Sequence, residues 1–368
     1  MKIRVALGEL SKKMHAISSV VPSKTTMPIL STVLITADGE GIELSATDLD
    51  ISVTSKITGT ADAGGKIAVP AKKIAEIVKS LTGDEVSMDV TGEKLTLTCG
   101  KSRFVINGRS AEDFPKIPKQ ESKTSFKMDP ELIQRLVQKT IYAVSNDLTR
   151  PQLCGVLWEL DKDGISMIST DGHRLAKVEA KTKLGDVQKT SVIVPPKALS
   201  MLKLYSEGEE EIKVSLGENS ISFSMSESSI YSRLLEGPFP NYTKVIPEGN
   251  DKELIVDRQR LSDATKRVAI LSDALTHQIV FSLEKDKLKL NVSTQEIGEA
   301  HEEIEASFDG EPFDIGYNAN YVLDILRTME SENVAFRLDR PDNAGMVEPV
   351  ETAEDINQTC IIMPLRIS

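Results

Sequence analysis

The residues with the clearest chemical potential form one string, Thr170-Asp171-Gly172-His173-Arg174-Leu175. An aspartate two residues before a histidine could serve as an acid/base pair, which would make the chain a hydrolase working in a cleft. That chemistry also needs a nucleophile, and no Gly-x-Ser-x-Gly elbow accompanies the string. Asp-Gly is equally a hairpin dipeptide, so the bland reading is a turn between two strands. Gly100-Lys101-Ser102 ends like a phosphate-binding loop, but position 95, where its first glycine belongs, is Leu. The runs Glu209-Glu210-Glu211 and Glu302-Glu303 read as solvated acidic turns rather than as metal or glycosidase carboxylates. His15, His277 and His301 are isolated, and Cys99, Cys154 and Cys360 lie far apart with no Cys-x-x-Cys pair. No catalytic constellation, metal site or cofactor is expected.

These residues must be positioned by a chain that is written three times. The 368 residues suffice for two to four domains. Pro28–Asp48 reads against Pro151–Asp171, 123 residues later, with nine of 21 positions identical. Val69-Pro70 recurs as Val194-Pro195, and Phe114-Pro115 as Phe239-Pro240. A third copy is fainter. Leu288, Leu290 and Val292 repeat the alternation of Ile42/Leu44 and Ile165/Met167, and Met363-Pro364 follows Phe239-Pro240 by 124 residues. Self-similarity at a fixed interval marks a domain in tandem. The boundaries fall near residue 122, in the polar stretch 116–125, and near residue 250, which gives segments 1–122, 123–250 and 251–368.

Within each segment the apolar period predicts two helices, at 9–20 and 71–81, 129–144 and 196–206, and 257–271 and 318–329. Asp129-Pro130-Glu131 has the cap, first-turn proline and first-turn acid of a helix start. Leu95/Leu97/Cys99 and Ile221/Phe223/Met225 alternate as half-buried strands. The fold class expected is α+β, two helices packed on antiparallel sheets, three times over.

Charge sharpens the picture. Lys and Arg total 44 against 56 Asp and Glu, a net −12, which argues against an open basic face. Yet the six predicted helices hold 14 basic and 7 acidic residues, so the excess acid lies elsewhere. Basic helices in an acidic chain suit a surface shown to a polyanion. Aromatic residues are 4% of the chain, with Trp158 alone of its kind, which leaves little for stacking single-stranded bases. No window approaches 18 apolar residues and MKIRVALGEL has no apolar h-region, so a cytoplasmic chain with no membrane partner is expected. Asn241-Tyr242-Thr243 is then a chance sequon.

The triplicated segment, Thr-Asp-Gly-His-Arg-Leu-Ala at 170–176, Phe-Pro-Asn-Tyr at 239–242 and Met-Pro-Leu-Arg at 363–366 together resemble the bacterial DNA polymerase III β-subunit family of sliding clamps. The resemblance spans the whole chain. It implies three clamp domains that form half of a six-domain ring, a head-to-tail homodimer around double-stranded DNA, with helices lining the hole. It further implies a non-enzymatic processivity factor that serves the clamp loader, the replicative polymerase and repair proteins.

Carried over by position, the resemblance implies a partner-peptide pocket of Leu153, Thr170, Gly172, His173, Arg174, Leu175, Pro240, Val245, Asn318, Tyr321, Ile362, Met363, Pro364, Leu365 and Arg366. Lys244 and Thr276 depart from some relatives there, and Ile367 and Ser368 follow Arg366. The DNA-facing set is expected to be Lys12, Lys13, Lys24, Lys72, Lys73, Lys79, Arg135, Lys139, Arg150, Lys197, Lys203, Arg260 and Lys266. The ring joint is expected to set Arg103, Phe104 and Ile106 of one chain against Arg267, Ile270 and Leu271 of the other. Two rivals remain at this point. One is the hydrolase built on Asp171 and His173, and the other is a monomeric scaffold that binds proteins alone.

Overall fold

The computed structural model describes residues 1–118, 122–295, 297–351 and 355–367. Three residues of the first predicted boundary, 119–121, and the final Ser368 lie outside the described residues. Six α-helices form among the described residues: α1 (Leu7–Ser18), α2 (Ala71–Ser80), α3 (Pro130–Gln138), α4 (Pro196–Tyr205), α5 (Arg258–Ala269) and α6 (Ala319–Thr328). Each buries one stripe, as the sequence period requires. In α1 the buried set is Leu7, Leu10, Met14 and Ile17, and in α6 it includes Ala319, Val322, Ile325 and Leu326. Three starts are capped by side chains. Asp129 accepts from the Leu132 amide at 2.7 Å, Asp257 from Arg260 at 2.6 Å, and Asn318 from Asn320 at 2.9 Å.

All strand pairing among the described residues is antiparallel, and the repeated order of elements is a strand, a helix, four or five strands, a second helix and three strands. The sheets do not respect the repeats. The chain condenses into two compact units, one of residues 1–134 with 197–234 and one of 135–196 with 235–368. In the first unit, strand Ile51–Ile57 of the first repeat pairs with Ser228–Arg233 of the second, which helps build an eight-stranded sheet. In the second unit, Arg174–Lys181 of the central repeat pairs with Ile356–Ile362 of the last, inside a twelve-stranded sheet. The central repeat is thus divided between the units. In the first unit α1 packs beside α2, and in the second α5 packs beside α6.

The predicted helix 129–144 is shorter than its apolar period. Regular helix ends at Gln138 and a separate 3-10 turn spans Ile141–Ala143. No glycine or proline marks that stop.

Candidate functional site

The Thr170–Arg174 string is a turn between strands Gly164–Thr170 and Arg174–Lys181. Its own side chains build it. Thr170 Oγ1 donates to the Arg174 carbonyl at 2.6 Å and accepts from the Gly172 amide at 3.1 Å. One Asp171 oxygen accepts the His173 and Arg174 amides at 2.9 and 3.0 Å, and the other accepts Arg174 Nε at 3.1 Å. Gly172 sits at φ +94°, the left-handed region, and a Cβ there would stand 3.4 Å from Arg150 Nη1. The Asp171 carboxylate is therefore committed to the turn and to Arg174, not to the exposed His173 ring, which removes the pairing that a hydrolase would need.

Arg174 is the centre of the site. Its side chain is only 10% exposed, and its guanidinium donates to Asp324 at 2.7 Å and to the Tyr142 carbonyl at 2.7 Å. It also lies over the Tyr321 ring at 4.4 Å and the Tyr142 ring at 5.2 Å. Burial opposes this charge, but the two carboxylates outweigh it and keep the guanidinium firmly protonated. Asp324 lies on α6 one turn after Tyr321, so both reach the same guanidinium. Tyr142, Asp171 and Asp324 were not among the expected pocket residues. The i, i+3 spacing of Tyr321 and Asp324 was the available signal.

Residues 362–366 run beside this turn. Ile362 pairs with Arg174 in register, the Met363 amide donates to the His173 carbonyl at 2.9 Å, and the Leu365 amide donates to the Gly316 carbonyl at 2.8 Å. The Arg366 carbonyl accepts from Gln278 Nε2 at 2.8 Å, and Asn318 Nδ2 donates to the Thr276 carbonyl at 2.9 Å. Leu153, Leu175 and Ile362 are buried, whereas Met363, at 42%, and Val245, at 50%, are exposed, as is Pro240. Leu175 belongs to an apolar cluster with Leu157, Ile168, Ile193 and Ile361, flanked by Phe239 and Tyr242. The structure thus ties the 170–175 turn directly to Tyr321 and to residues 362–363, Leu365 and Asn318 to the Gly316 and Thr276 carbonyls, and Arg366 to the Gln278 side chain. Apolar side chains around one held cation suit an extended apolar segment better than a reaction.

Residues 1–118, 127–241 and 243–366 match, in that order, the N-terminal, central and C-terminal domains of the DNA polymerase III beta subunit. The beta sliding clamp of Pseudomonas aeruginosa is 32% identical over 361 residues, 97% of this chain and 98% of that one. The chain belongs to the DNA polymerase III β-subunit family, the sliding clamps. The clamp of Caulobacter vibrioides is also 32% identical, with both chains covered in full. Among solved structures, a sliding clamp from Bartonella birtlesii bound to griselimycin matches with a TM-score of 0.94 at 32% identity, and the Thermotoga maritima β subunit with 0.93 at 26%, each over 100% of both chains.

On this clamp-family chain the observed helices hold 13 Lys and Arg against 5 Asp and Glu, so the charge bias persists at the observed helix boundaries. Lys12, Lys24, Lys72, Lys73, Lys79, Arg150, Lys203, Arg260 and Lys266 are exposed. Among the described residues, no carboxylate lies within ion-pair distance of Lys24, Lys72, Lys79 or Lys203. Arg135 pairs with Glu330 at 2.7 Å and Lys197 with Asp48 at 2.5 Å. Two expected DNA-facing charges need correction. Lys139 is 5% exposed, its ammonium donating to the Thr328 carbonyl and to Gln358 Oε1, both at 2.9 Å. Burial holds its pKa below the ordinary lysine value. Lys13 is held by the Lys56 carbonyl, Glu9 and Glu227, with a side chain only 15% exposed. Neither presents a free charge to solvent.

The expected joint residues fall at element ends. Strand Ser102–Asn107 is the edge of a five-stranded sheet, with Phe104 and Ile106 half-buried opposite Leu97 and Leu95. Ile270, just past α5, is 77% exposed, and Leu271 packs against the core of its unit. Arg267 pairs with Glu302 on strand Gly298–Phe308.

Proposed function

We propose that this clamp-family chain is one half of a homodimeric ring that encircles duplex DNA without reading its sequence. The ring would confer processivity on the replicative polymerase and have no catalytic site of its own. It would be loaded by a clamp loader in the cytoplasm, and it would take polymerase and repair partners through the pocket around Arg174. In this reading the three domains meet near residues 122 and 250.

The observation that carries the ring is an incomplete repeat. Strand Ile51–Ile57 is flanked on both sides, by Gly41–Thr47 and Ser228–Arg233. Arg174–Lys181 is flanked by Gly164–Thr170 and Ile356–Ile362. The third member of the set, Gly298–Phe308, has Lys287–Thr294 along one side, but on the other it pairs only at residues 306–308 among the described residues. The strand equivalent to the missing partner is Ser102–Asn107, at the far end of the sequence, with a free edge of its own. Edge strands seek partners, and two copies joined at these edges satisfy both. Backbone-phosphate contacts from basic helices carry no sequence information, so retention on DNA would come from closure rather than affinity. Retention on nicked circular DNA that is lost when the circle is linearised tests this reading. Equal retention on both would defeat it.

A further inference from the structure

Lys139 and Tyr142, three residues apart just past the end of α3, belong to one largely buried polar cluster. Tyr142 Oη lies 3.3 Å from Cys360 Sγ, and Gln358 Nε2 lies 3.8 Å from the same sulfur and 2.9 Å from Thr328 Oγ1. At one end of this cluster Tyr142 holds Arg174 through its carbonyl and its ring. At the other end Lys139 approaches Glu330 at 3.7 Å, while Arg135 takes the same carboxylate at 2.7 Å. One glutamate therefore stands between an accessible cation and a buried one. A cleft of about 250 Å³, lined by Arg135, Lys139, Glu330, Ser331 and Gln358 among others, gives it room to turn.

We propose that Lys139 is a positioning residue that ties the state of Arg135 to the setting of Arg174. The proposal rests on reading the helices as facing phosphates and the pocket as facing peptides. A phosphodiester oxygen at Arg135 competes with Glu330 for the guanidinium. Once released, Glu330 has Lys139 as its remaining cation within 4 Å among the described residues. Moving the ammonium toward Glu330 weakens its bonds to Gln358 and Thr328, and Gln358 shares the Cys360 sulfur with Tyr142. Tyr142 holds Arg174 through its carbonyl and, with Tyr321, through its ring, so the two partners of Glu330 correspond to two settings of the pocket. A ligand at either end shifts the balance by its differential affinity for the two, and the coupling is reciprocal.

The test uses the full chain with Arg135→Gln, which frees Glu330 without DNA, alone and combined with Lys139→Met. Gln358→Leu breaks the same path one step further on and replaces Lys139→Met if that variant does not fold. Two readouts are followed: hydrogen exchange of the Met363 amide, and the Kd for griselimycin. Amides of strand Gln278–Glu284 serve as a reference for overall opening. Arg135→Gln is expected to change both readouts about fivefold, within the usual range of coupling between sites, and the second substitution is expected to abolish that change. Readouts that do not move, or that move equally with Lys139 replaced, overturn the proposal. A chain that fails to bind griselimycin but still shows the Lys139-dependent change at Met363 supports the link while removing the peptide-pocket reading.

Discussion

At the scale of single residues, Arg174 is held by two carboxylates, a carbonyl and two rings, and each sets a condition on its replacement. Arg174→Ala leaves Asp171 and Asp324 facing each other without their shared cation, so unfolding of the second unit should become easier by about 3 kcal/mol in chemical denaturation. Arg174→Lys should recover little of this, because one ammonium nitrogen cannot reach Asp171, Asp324 and the Tyr142 carbonyl as the three guanidinium nitrogens do, nor stack on a ring. The equivalent turn of the first repeat offers the opposite experiment. Leu49 occupies the position of Gly172 at φ +83°, with the same Thr47 and Asp48 hydrogen bonds beneath it. Leu49→Gly should therefore raise stability, by up to about 1 kcal/mol, since only the leucine is strained there. Glu330 gives a pH signature. Its hydrogen bond to Arg135 holds its pKa below the usual glutamate value. The unfolded chain then binds the proton more readily, so this contribution is present at neutral pH and is lost as the pH falls through the folded value. Glu330→Gln should be less stable than the parent at pH 7, with the difference closing in acid.

At the scale of elements, much was legible because helix and strand periods are local. The buried stripes of α1 and α6, the Asp129 cap and the alternation of Leu288, Leu290 and Val292 all follow from spacing. Lys139 was not legible for the same reason. It lies four residues after Arg135, with its amide bonded to the Arg135 carbonyl, so helical spacing puts both on one face and does not say which of the two is buried. Thr328 and Gln358, nearly 200 residues away or more, decide its fate. The resemblance names the expected pocket residues, but the contacts of Tyr142 and Asp324 with Arg174 emerge only when distant elements meet. The edge strand Ser102–Asn107 and the end of α5 carry a prediction at this scale. Phe104→Asp or Ile270→Asp places a charge where the proposed joint is apolar and should give monomers in sedimentation without loss of fold. A persisting dimer would remove that joint.

At the scale of the molecule, the net charge of −12 conceals helices that are net basic. Retention on DNA should therefore weaken with salt wherever the proposed ring is not closed. Lys72→Gln and Lys79→Gln should each reduce the slope of log affinity against log salt by about one contact, whereas Lys139→Met should leave the slope unchanged. The division of the central repeat between two sheets also matters: a cut at residue 122 or 250 would separate paired strands, so single repeats should aggregate rather than fold alone. The same logic reaches further. A chain with one unsatisfied edge near residue 103 and a complementary one near residue 300 has the ends of a polymer. Head-to-tail contacts close only when the rotation per copy divides the circle, and otherwise they propagate. A variant that keeps both edges but fails the proposed closure should therefore run as open filaments visible by electron microscopy.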